Sequence, residues 1–114
     1  MRVLVVEDNA RNLKLAQDVL THAGLEVVGA GSGEEALERA AGVDVILMDI
    51  GLPGMSGVEA LAALRAAGVR VPVAAFTAHA MADDRDRLLA AGFDGYIEKP
   101  IDVRALPGQV QALL

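Results

Sequence analysis

Short apolar runs alternate with longer amphipathic segments along the whole chain. The apolar runs predict strands near residues 2–7, 25–30, 43–49, 71–76 and 94–98. The amphipathic segments predict helices near residues 10–23, 34–41, 57–67, 82–91 and 102–113. Runs that are apolar throughout, rather than at alternate positions, are typical of strands buried on both faces of a parallel sheet. The alternation therefore predicts a doubly wound α/β domain in which helices cover both faces of a five-stranded parallel sheet.

The residues at the ends of the predicted helices support this order. The predicted N-terminal caps are Asn9, Ser32 and Asp102, whose side-chain oxygens can accept backbone N–H groups. Glycines that can end helices in the left-handed conformation are Gly24, Gly42, Gly68 and Gly92. In the first helix, the spacing predicts a buried stripe of Leu15, Ala16, Val19, Leu20 and Ala23. Leu13 lies off the edge of this stripe, and we expect it to be exposed.

Composition narrows the classes of protein that this chain can belong to. Its 114 residues are about one domain, and a hydrophobic content of 54% can build a core. A net charge of -6 without a cluster of lysines and arginines argues against nucleic-acid binding. The chain has no cysteine, which excludes disulfides, thiol catalysis and thiolate metal sites.

At the two ends of the chain, we expect neither a targeting segment nor an output domain. Only four apolar residues separate Arg2 from Glu7, fewer than the roughly 7 to 15 of a signal peptide. No apolar run approaches the roughly 20 residues of a membrane span. We therefore expect one cytoplasmic domain over residues 1–114, without membrane contact and without an output domain after Leu114. Its output would be by contact with another protein.

Acidic side chains stand where two of the predicted strands end. Asp49 closes the third apolar run, and Glu7 and Asp8 close the first. Thr77 follows the fourth run and Lys99 the fifth. In open α/β sheets, ligands bind beyond the C-terminal ends of the strands. We therefore expect these five residues, which are far apart in sequence, to form one chemical site.

The motifs around these residues resemble those of two-component response-regulator receiver domains, especially the stand-alone single-domain type. The resemblance covers almost the whole chain. It rests on four segments in order, Val5-Val6-Glu7-Asp8-Asn9, Leu47 to Gly57 with Asp49 and Pro53-Gly54, Phe76 to Ala80 with Thr77, and Tyr96-Ile97-Glu98-Lys99-Pro100. Any one of them is a weak signal, whereas the four together are specific. The resemblance implies the flavodoxin-like fold with strand order 2-1-3-4-5.

The resemblance also implies a role for each site residue. Asp49 would be the phosphoacceptor, and Lys99 and Thr77 would contact the phosphoryl group. Mg²⁺ would be held by Asp8, Asp49 and the backbone carbonyl of Gly51, with Glu7 acting largely through water. Tyr96 would be the switch aromatic, and the bond between Lys99 and Pro100 would be cis. His79, within the Thr77 motif, is assigned no catalytic role.

Elementary chemistry explains why these residue types belong together. Three crowded carboxylates repel one another, and a hard divalent cation with oxygen ligands relieves that repulsion. Phosphoryl transfer is catalysed mainly by positioning and by electrostatic stabilisation, which a metal ion and the Lys99 ammonium can supply. After transfer, the Thr77 hydroxyl would be drawn toward the phosphoryl group. Tyr96 could then rotate into the vacated space and alter the outer face. A static, half-buried Tyr96 stays open as an alternative.

Two positions depart from the pattern of the family. Gly51 stands two residues after Asp49, where relatives usually carry a side chain that influences the lifetime of the phosphoryl group. The sequence therefore gives no prediction of that lifetime. Pro107 interrupts the last predicted helix, because proline in a helix interior costs about 3 kcal/mol. We expect this helix to kink or to begin late.

Two other classes of function remain open from the sequence. A haloacid-dehalogenase-like phosphatase also uses aspartate, Mg²⁺, threonine and lysine. Its nucleophilic aspartate should end the first strand, and a second aspartate should follow two positions later, where this chain has Ala10. A flavodoxin-like flavin carrier needs a hydroxyl-rich phosphate loop after the first strand, where Glu7 and Asp8 would repel phosphate.

The favoured interpretation is a signalling receiver rather than an enzyme acting on external substrates. Its donor would be a histidine kinase or a histidine phosphotransfer protein, and its target another protein. Leu13, close to the acidic loop, would help to dock the kinase. The receiver would be a monomer or a weak dimer, and it could serve as an effector, a shuttle or a phosphate sink.

Overall fold

A computed structural model describes residues 1–78 and 82–114, and for residues 82 and 83 it describes the backbone. His79 lies outside the described residues. The strands are β1 (Arg2–Val6), β2 (Glu26–Ala30), β3 (Val45–Asp49), β4 (Val73–Thr77) and β5 (Gly95–Glu98). The helices are α1 (Ala10–His22), α2 (Gly33–Arg39), α3 (Gly57–Ala66), α4 (Ala82–Ala90) and α5 (Leu106–Gln111). The predicted order of alternating strands and helices is confirmed.

All five strands are parallel and lie in the order β2-β1-β3-β4-β5. This is the order that the resemblance implied. β3 lies at the centre, and each of its five residues is buried. Because parallel strands end at the same edge, the residues that follow β1, β3, β4 and β5 meet there.

The core lies in two layers, one on each face of the sheet. Alternate residues of β3 serve the two layers: Ile46 and Met48 pack on one side, and Val45 and Leu47 on the other. Helices α2, α3 and α4 contribute to the first layer, and α1 and α5 to the second. Burial on both faces explains why the strand sequences are apolar without alternation.

Most of the predicted helix ends are confirmed, and one is corrected. Asn9 and Ser32 cap α1 and α2 through their side-chain oxygens, and the four predicted glycines have positive φ. Asp102 does not cap α5. Its carboxylate accepts from the N–H groups of Arg104 and Ala105, 3.0 and 3.2 Å away, so it caps a separate turn before the helix.

α5 begins late, as Pro107 predicted. The helix starts at Leu106 and places Pro107 in its first turn, where the missing N–H would have no partner in the helix. The predicted start at residue 102 was therefore wrong by four positions. Among the described residues, no helix is long and apolar enough to cross a membrane.

The buried face of α1 is rotated from the predicted stripe. Leu15 is 39% exposed and Ala23 is exposed, whereas Leu13 is half-buried against the second core layer. The reason lies in β2, where Gly29 has no side chain. A Cβ atom there would lie 2.6 Å from Gln17 Nε2 and 3.3 Å from a Leu13 methyl, so the glycine leaves space that the Gln17 and Leu13 side chains fill. The expectation that Leu13 is exposed was wrong.

Candidate functional site

Three carboxylates meet where β1 and β3 end side by side. Val6 pairs with Met48 in the sheet, so Glu7 and Asp8 emerge beside Asp49. One oxygen from each of Glu7, Asp8 and Asp49 lies within 4.8 Å of the others. Glu7 is 3% exposed and Asp49 is 7% exposed, whereas Asp8 faces solvent. The structure therefore concentrates like charge in a partly buried pocket.

Lys99 reaches this pocket from the end of β5. Its Nζ lies 2.8 Å from Glu7 Oε2 and 3.1 Å from Asp49 Oδ2. The backbone holds Lys99 in place, since its N–H donates to the Thr77 carbonyl at 2.8 Å. The bond between Lys99 and Pro100 is cis, as the resemblance implied. One ammonium thus contacts both buried carboxylates.

Burial and charge act in opposite directions on the pKa values of this site. Burial raises the pKa of Glu7, and the Asp49 charge adds to it, against the hydrogen bond from Lys99. Burial would lower the pKa of Lys99, but the hydrogen bonds to Glu7 and Asp49 outweigh it and raise that pKa. Lys99 therefore stays charged at neutral pH. A further cation placed among the Glu7 and Asp49 carboxylates would stabilise their charged forms.

The loop after β3 fixes the Asp49 side chain. The Gly51 N–H donates to Asp49 Oδ1 at 2.9 Å, and Asp49 Oδ2 is the oxygen nearest Lys99. The two oxygens therefore have different surroundings, one toward the loop backbone and the other toward the lysine. These two contacts, one to each oxygen, fix the orientation of the Asp49 carboxylate.

Gly57, which sequence reasoning assigned no role, sets how closely α3 approaches this loop. A Cβ atom on Gly57 would lie 2.6 Å from the Asp49 carbonyl oxygen and from Ile50 Cα. The start of α3 is held there by a capping box between Ser56 and Glu59, whose Ser-x-x-Glu spacing was a readable signal. The first turn of α3 thus rests directly on the backbone of the proposed phosphoacceptor.

Thr77 ends β4 at the same edge of the sheet and is 2% exposed. With Asp49, Gly51 and Lys99 it lines an open cavity of about 360 Å³. Tyr96 of β5 is half-buried and pairs with Ala75, two residues before Thr77. The structure thus brings together the predicted catalytic and metal residues. Tyr96 lies farther from this edge of the sheet, at the level of Ala75.

The donor set fits a hard divalent cation. Carboxylate oxygens are ligands that Mg²⁺ prefers, and the three at this site converge within 4.8 Å. Two of them are buried, and among the residues that the structure describes Lys99 is the one whose positive charge contacts both. A bound cation would offset the remaining negative charge.

Leu13 lies in a different place. It lines an open groove of about 390 Å³ between α1, β2 and α2, whose wall also includes Glu7 and Asp8. The groove is adjacent to the acidic cluster but does not include Asp49 or Lys99.

Comparison with known protein families agrees with this geometry. The family model described as the response regulator receiver domain matches residues 3–111. The chain belongs to this family. Residues 3–111 include all four motif segments, so the receiver domain is matched over its strands, its acidic loop and Lys99.

Individual relatives show the same similarity. The polar-differentiation response regulator DivK of Brucella ovis is 43% identical over 105 residues, covering 89% of this chain and 85% of DivK. The sensor protein GacS of Pseudomonas syringae pv. syringae is 42% identical over 112 residues. The chemotaxis response regulator CheY4 of Vibrio cholerae superimposes with a TM-score of 0.93 at 31% identity, covering 99% of this chain and 98% of CheY4.

The relatives differ greatly in length. This receiver domain spans only 12% of GacS and 7% of hybrid signal transduction histidine kinase I of Dictyostelium discoideum. The family match places the chain in two-component phosphorelay signalling. The comparisons give no support to the phosphatase and flavin-carrier alternatives.

Proposed function

We propose that this receiver domain accepts a phosphoryl group on Asp49 from the phosphohistidine of a histidine kinase or a histidine phosphotransfer protein. The observation that carries the proposal is the setting of the Asp49 carboxylate. One oxygen accepts from the Gly51 N–H at 2.9 Å, and the other lies 3.1 Å from Lys99 in a pocket with two further carboxylates. A carboxylate nucleophile that is oriented and lies beside a cation suits phosphoryl transfer.

In the transfer, a carboxylate oxygen of Asp49 forms a bond to phosphorus as the bond between phosphorus and the donor imidazole nitrogen breaks. The electron pair leaves with that nitrogen, and Asp49 becomes an acyl phosphate. The Lys99 ammonium exchanges its contact with the carboxylates for a contact with a phosphoryl oxygen. The Thr77 hydroxyl donates a hydrogen bond to another phosphoryl oxygen.

Glu7, Asp8, Asp49 and the Gly51 carbonyl would hold Mg²⁺, with Glu7 acting largely through water. When bound, the ion supplies charge neutralisation to the phosphoryl oxygens. The residues themselves keep the pocket oriented, since Gly51 fixes one Asp49 oxygen and Lys99 contacts the other.

The output is a change of surface. The phosphoryl group draws Thr77 inward, and the Tyr96 ring follows into the space that Thr77 leaves. A downstream protein binds the altered surface around Tyr96.

We treat residues 1–114 as a single receiver unit that acts as a monomer or a weak dimer. It catalyses only its own phosphorylation and dephosphorylation, and it contacts neither nucleic acid nor membrane. The cytoplasmic location expected from the sequence stays a prediction.

The proposal is tested by labelling with acetyl phosphate in Mg²⁺. The wild type should gain the mass of one phosphoryl group, and Asp49→Asn should gain none, because an amide is a poor nucleophile. Asp8→Ala should lose Mg²⁺ affinity and labelling together. The exposed Asp18→Ala is the matched control and should behave as the wild type. Undiminished labelling of Asp49→Asn would remove Asp49 from the mechanism, and turnover of generic phosphoesters would favour a phosphatase.

A further inference from the structure

The Tyr96 ring is covered by a cation from the neighbouring helix. The guanidinium carbon of Arg85, on α4, lies 5.0 Å from the centroid of the Tyr96 ring. Arg85 is exposed and Tyr96 is half-buried, so the ring lies between the core and a solvent-facing charge. A guanidinium within about 6 Å of an aromatic centroid is attracted to the electron-rich face of the ring.

Tyr96 and Thr77 lie on the same face of the sheet. Tyr96 pairs with Ala75 across β4 and β5, and it packs with Ala75 in the core layer under α4. Thr77 is two residues after Ala75 on β4, so its side chain points to that same face. A movement of the Tyr96 ring toward Thr77 is therefore a movement along the sheet toward its acidic C-terminal edge. It takes the ring away from its position beside Arg85 of α4.

We propose that Arg85 is a positioning residue that holds the Tyr96 ring beside α4. It thereby sets how much activating ligand is needed to move the ring toward Thr77. This inference rests on the proposed function, because it assigns a restraint to the same Thr77 and Tyr96 pathway. The contact between Arg85 and Tyr96 is made while the ring lies beside α4, and it is lost when the ring moves toward Thr77 in the proposed switch. It therefore stabilises the unphosphorylated state relative to the phosphorylated one.

The size of the restraint follows from the exposure of Arg85. Contacts between cations and aromatic rings at exposed sites bias an equilibrium by about two- to fivefold. A bias on the resting state raises the concentration of ligand needed to reach the activated state by the same factor. Removing the Arg85 cation should therefore make activation easier, whereas removal of a residue that served only the fold would lower stability without favouring activation.

The lone tyrosine gives a direct measurement of this restraint. The chain contains one tyrosine and no tryptophan, so tyrosine fluorescence reports on Tyr96. Beryllium fluoride, a mimic of the phosphoryl group, is titrated at saturating Mg²⁺ into the wild type, Arg85→Ala, Arg85→Lys and Arg87→Ala. Arg87 is the matched control, because it carries the same charge on the same helix and pairs with Asp84, 3.3 Å away.

We expect the beryllium fluoride midpoint of Arg85→Ala to fall by about two- to fivefold. Arg85→Lys should lie between Arg85→Ala and the wild type, since lysine restores the charge but not the planar guanidinium. Arg87→Ala should match the wild type. Without beryllium fluoride, the Tyr96 ring resonances should shift in Arg85→Ala and not in Arg87→Ala.

Three outcomes would overturn the inference. An unchanged or raised midpoint in Arg85→Ala means that Arg85 does not restrain the resting state. An equal fall in Arg87→Ala means that the overall charge of α4 is responsible. A wild type that binds beryllium fluoride without any tyrosine response removes Tyr96 from the switch. A wild type that binds no beryllium fluoride at Asp49 is a different result, since it contradicts the proposed function itself.

Discussion

Lys99 balances charge that the fold has buried. Its Nζ lies 2.8 Å from Glu7 and 3.1 Å from Asp49, and both carboxylates are largely shielded from water. Loss of one partner from a buried group of charges is costly, because the remaining charges stay desolvated. The same residue thus pairs with the buried carboxylates, and in the proposed transfer it would also contact the phosphoryl group.

Lys99→Met should lower the free energy of unfolding by about 3 kcal/mol in the absence of divalent cations. Mg²⁺ should restore part of this loss, since a bound cation replaces the missing positive charge and stabilises the folded state. Urea unfolding with Mg²⁺ and with a chelator measures both effects.

Lys14→Met is the control for this prediction. Lys14 pairs with Asp18 at 3.1 Å on the exposed side of α1, and such surface pairs contribute about 0 to 1 kcal/mol. If Lys99→Met proved as mild as Lys14→Met, Lys99 would not be the residue that balances the buried carboxylates.

At the scale of elements, α3 is a support for the site. Gly57 lets its first turn rest on the backbone of Asp49 and Ile50, where a Cβ atom would meet atoms 2.6 Å away. These are backbone atoms, which cannot rotate aside as a flexible side chain would. The position of α3 and the position of the phosphoacceptor are therefore linked.

Gly57→Ala should lower the free energy of unfolding by about 1 to 3 kcal/mol through overpacking. It should also weaken Mg²⁺ binding, because the backbone that carries Asp49 and Gly51 has to shift. Calorimetric titration with Mg²⁺ and urea unfolding measure the two effects.

Gly108→Ala is the matched control, since a Cβ atom there meets nothing within 4 Å. Because alanine is the better helix former, this change should be neutral or stabilise α5 by up to about 1 kcal/mol. Unchanged Mg²⁺ affinity in folded Gly57→Ala would separate α3 from the site.

The role of Leu13 on α1 in docking a kinase stays a prediction. Because Leu13 is half-buried against Gly29, a charge at this position would disturb the fold, and Leu13→Ala is the cleaner change. It should slow transfer from a kinase while labelling by acetyl phosphate continues. Leu20→Ala, in the core of the same helix, should cost about 2 to 5 kcal/mol of stability. Equal losses with both donors in Leu13→Ala would mean that Leu13 only packs.

On the scale of the whole molecule, the proposed switch uses the parallel sheet to convert a local charge event into a change of surface. Thr77 and Tyr96 lie on neighbouring strands and on the same face, so under this proposal a movement of Thr77 at the site edge would be passed toward α4. Thr77→Ala should still accept phosphate, because Asp49, the metal ligands and Lys99 remain. Its tyrosine fluorescence should respond much less to beryllium fluoride than that of the wild type. An identical response in both proteins would make Tyr96 a static strand residue.

The sequence predicts the sheet and its acidic edge well, for a physical reason. Strands buried on both faces leave uninterrupted apolar runs, and parallel strands bring their ends together, so Glu7, Asp49 and Lys99 could be placed before the structure was known. The rotation of α1 could not, because it depends on the space that Gly29 leaves across β2. The contact between Arg85 and Tyr96 also has no sequence signature, since α4 and β5 meet only through tertiary packing.

The most direct test of the central claim locates the phosphoryl group chemically. Borohydride reduces an acyl phosphate of aspartate to homoserine, whereas phosphate esters of serine or threonine are not reduced in this way. After labelling with acetyl phosphate in Mg²⁺, peptide mass spectrometry should find homoserine at position 49 alone, and none when Mg²⁺ is chelated. Reduction at Glu7 or Asp8, or a label that survives borohydride on a hydroxyl residue, would contradict the assignment of Asp49 as the phosphoacceptor.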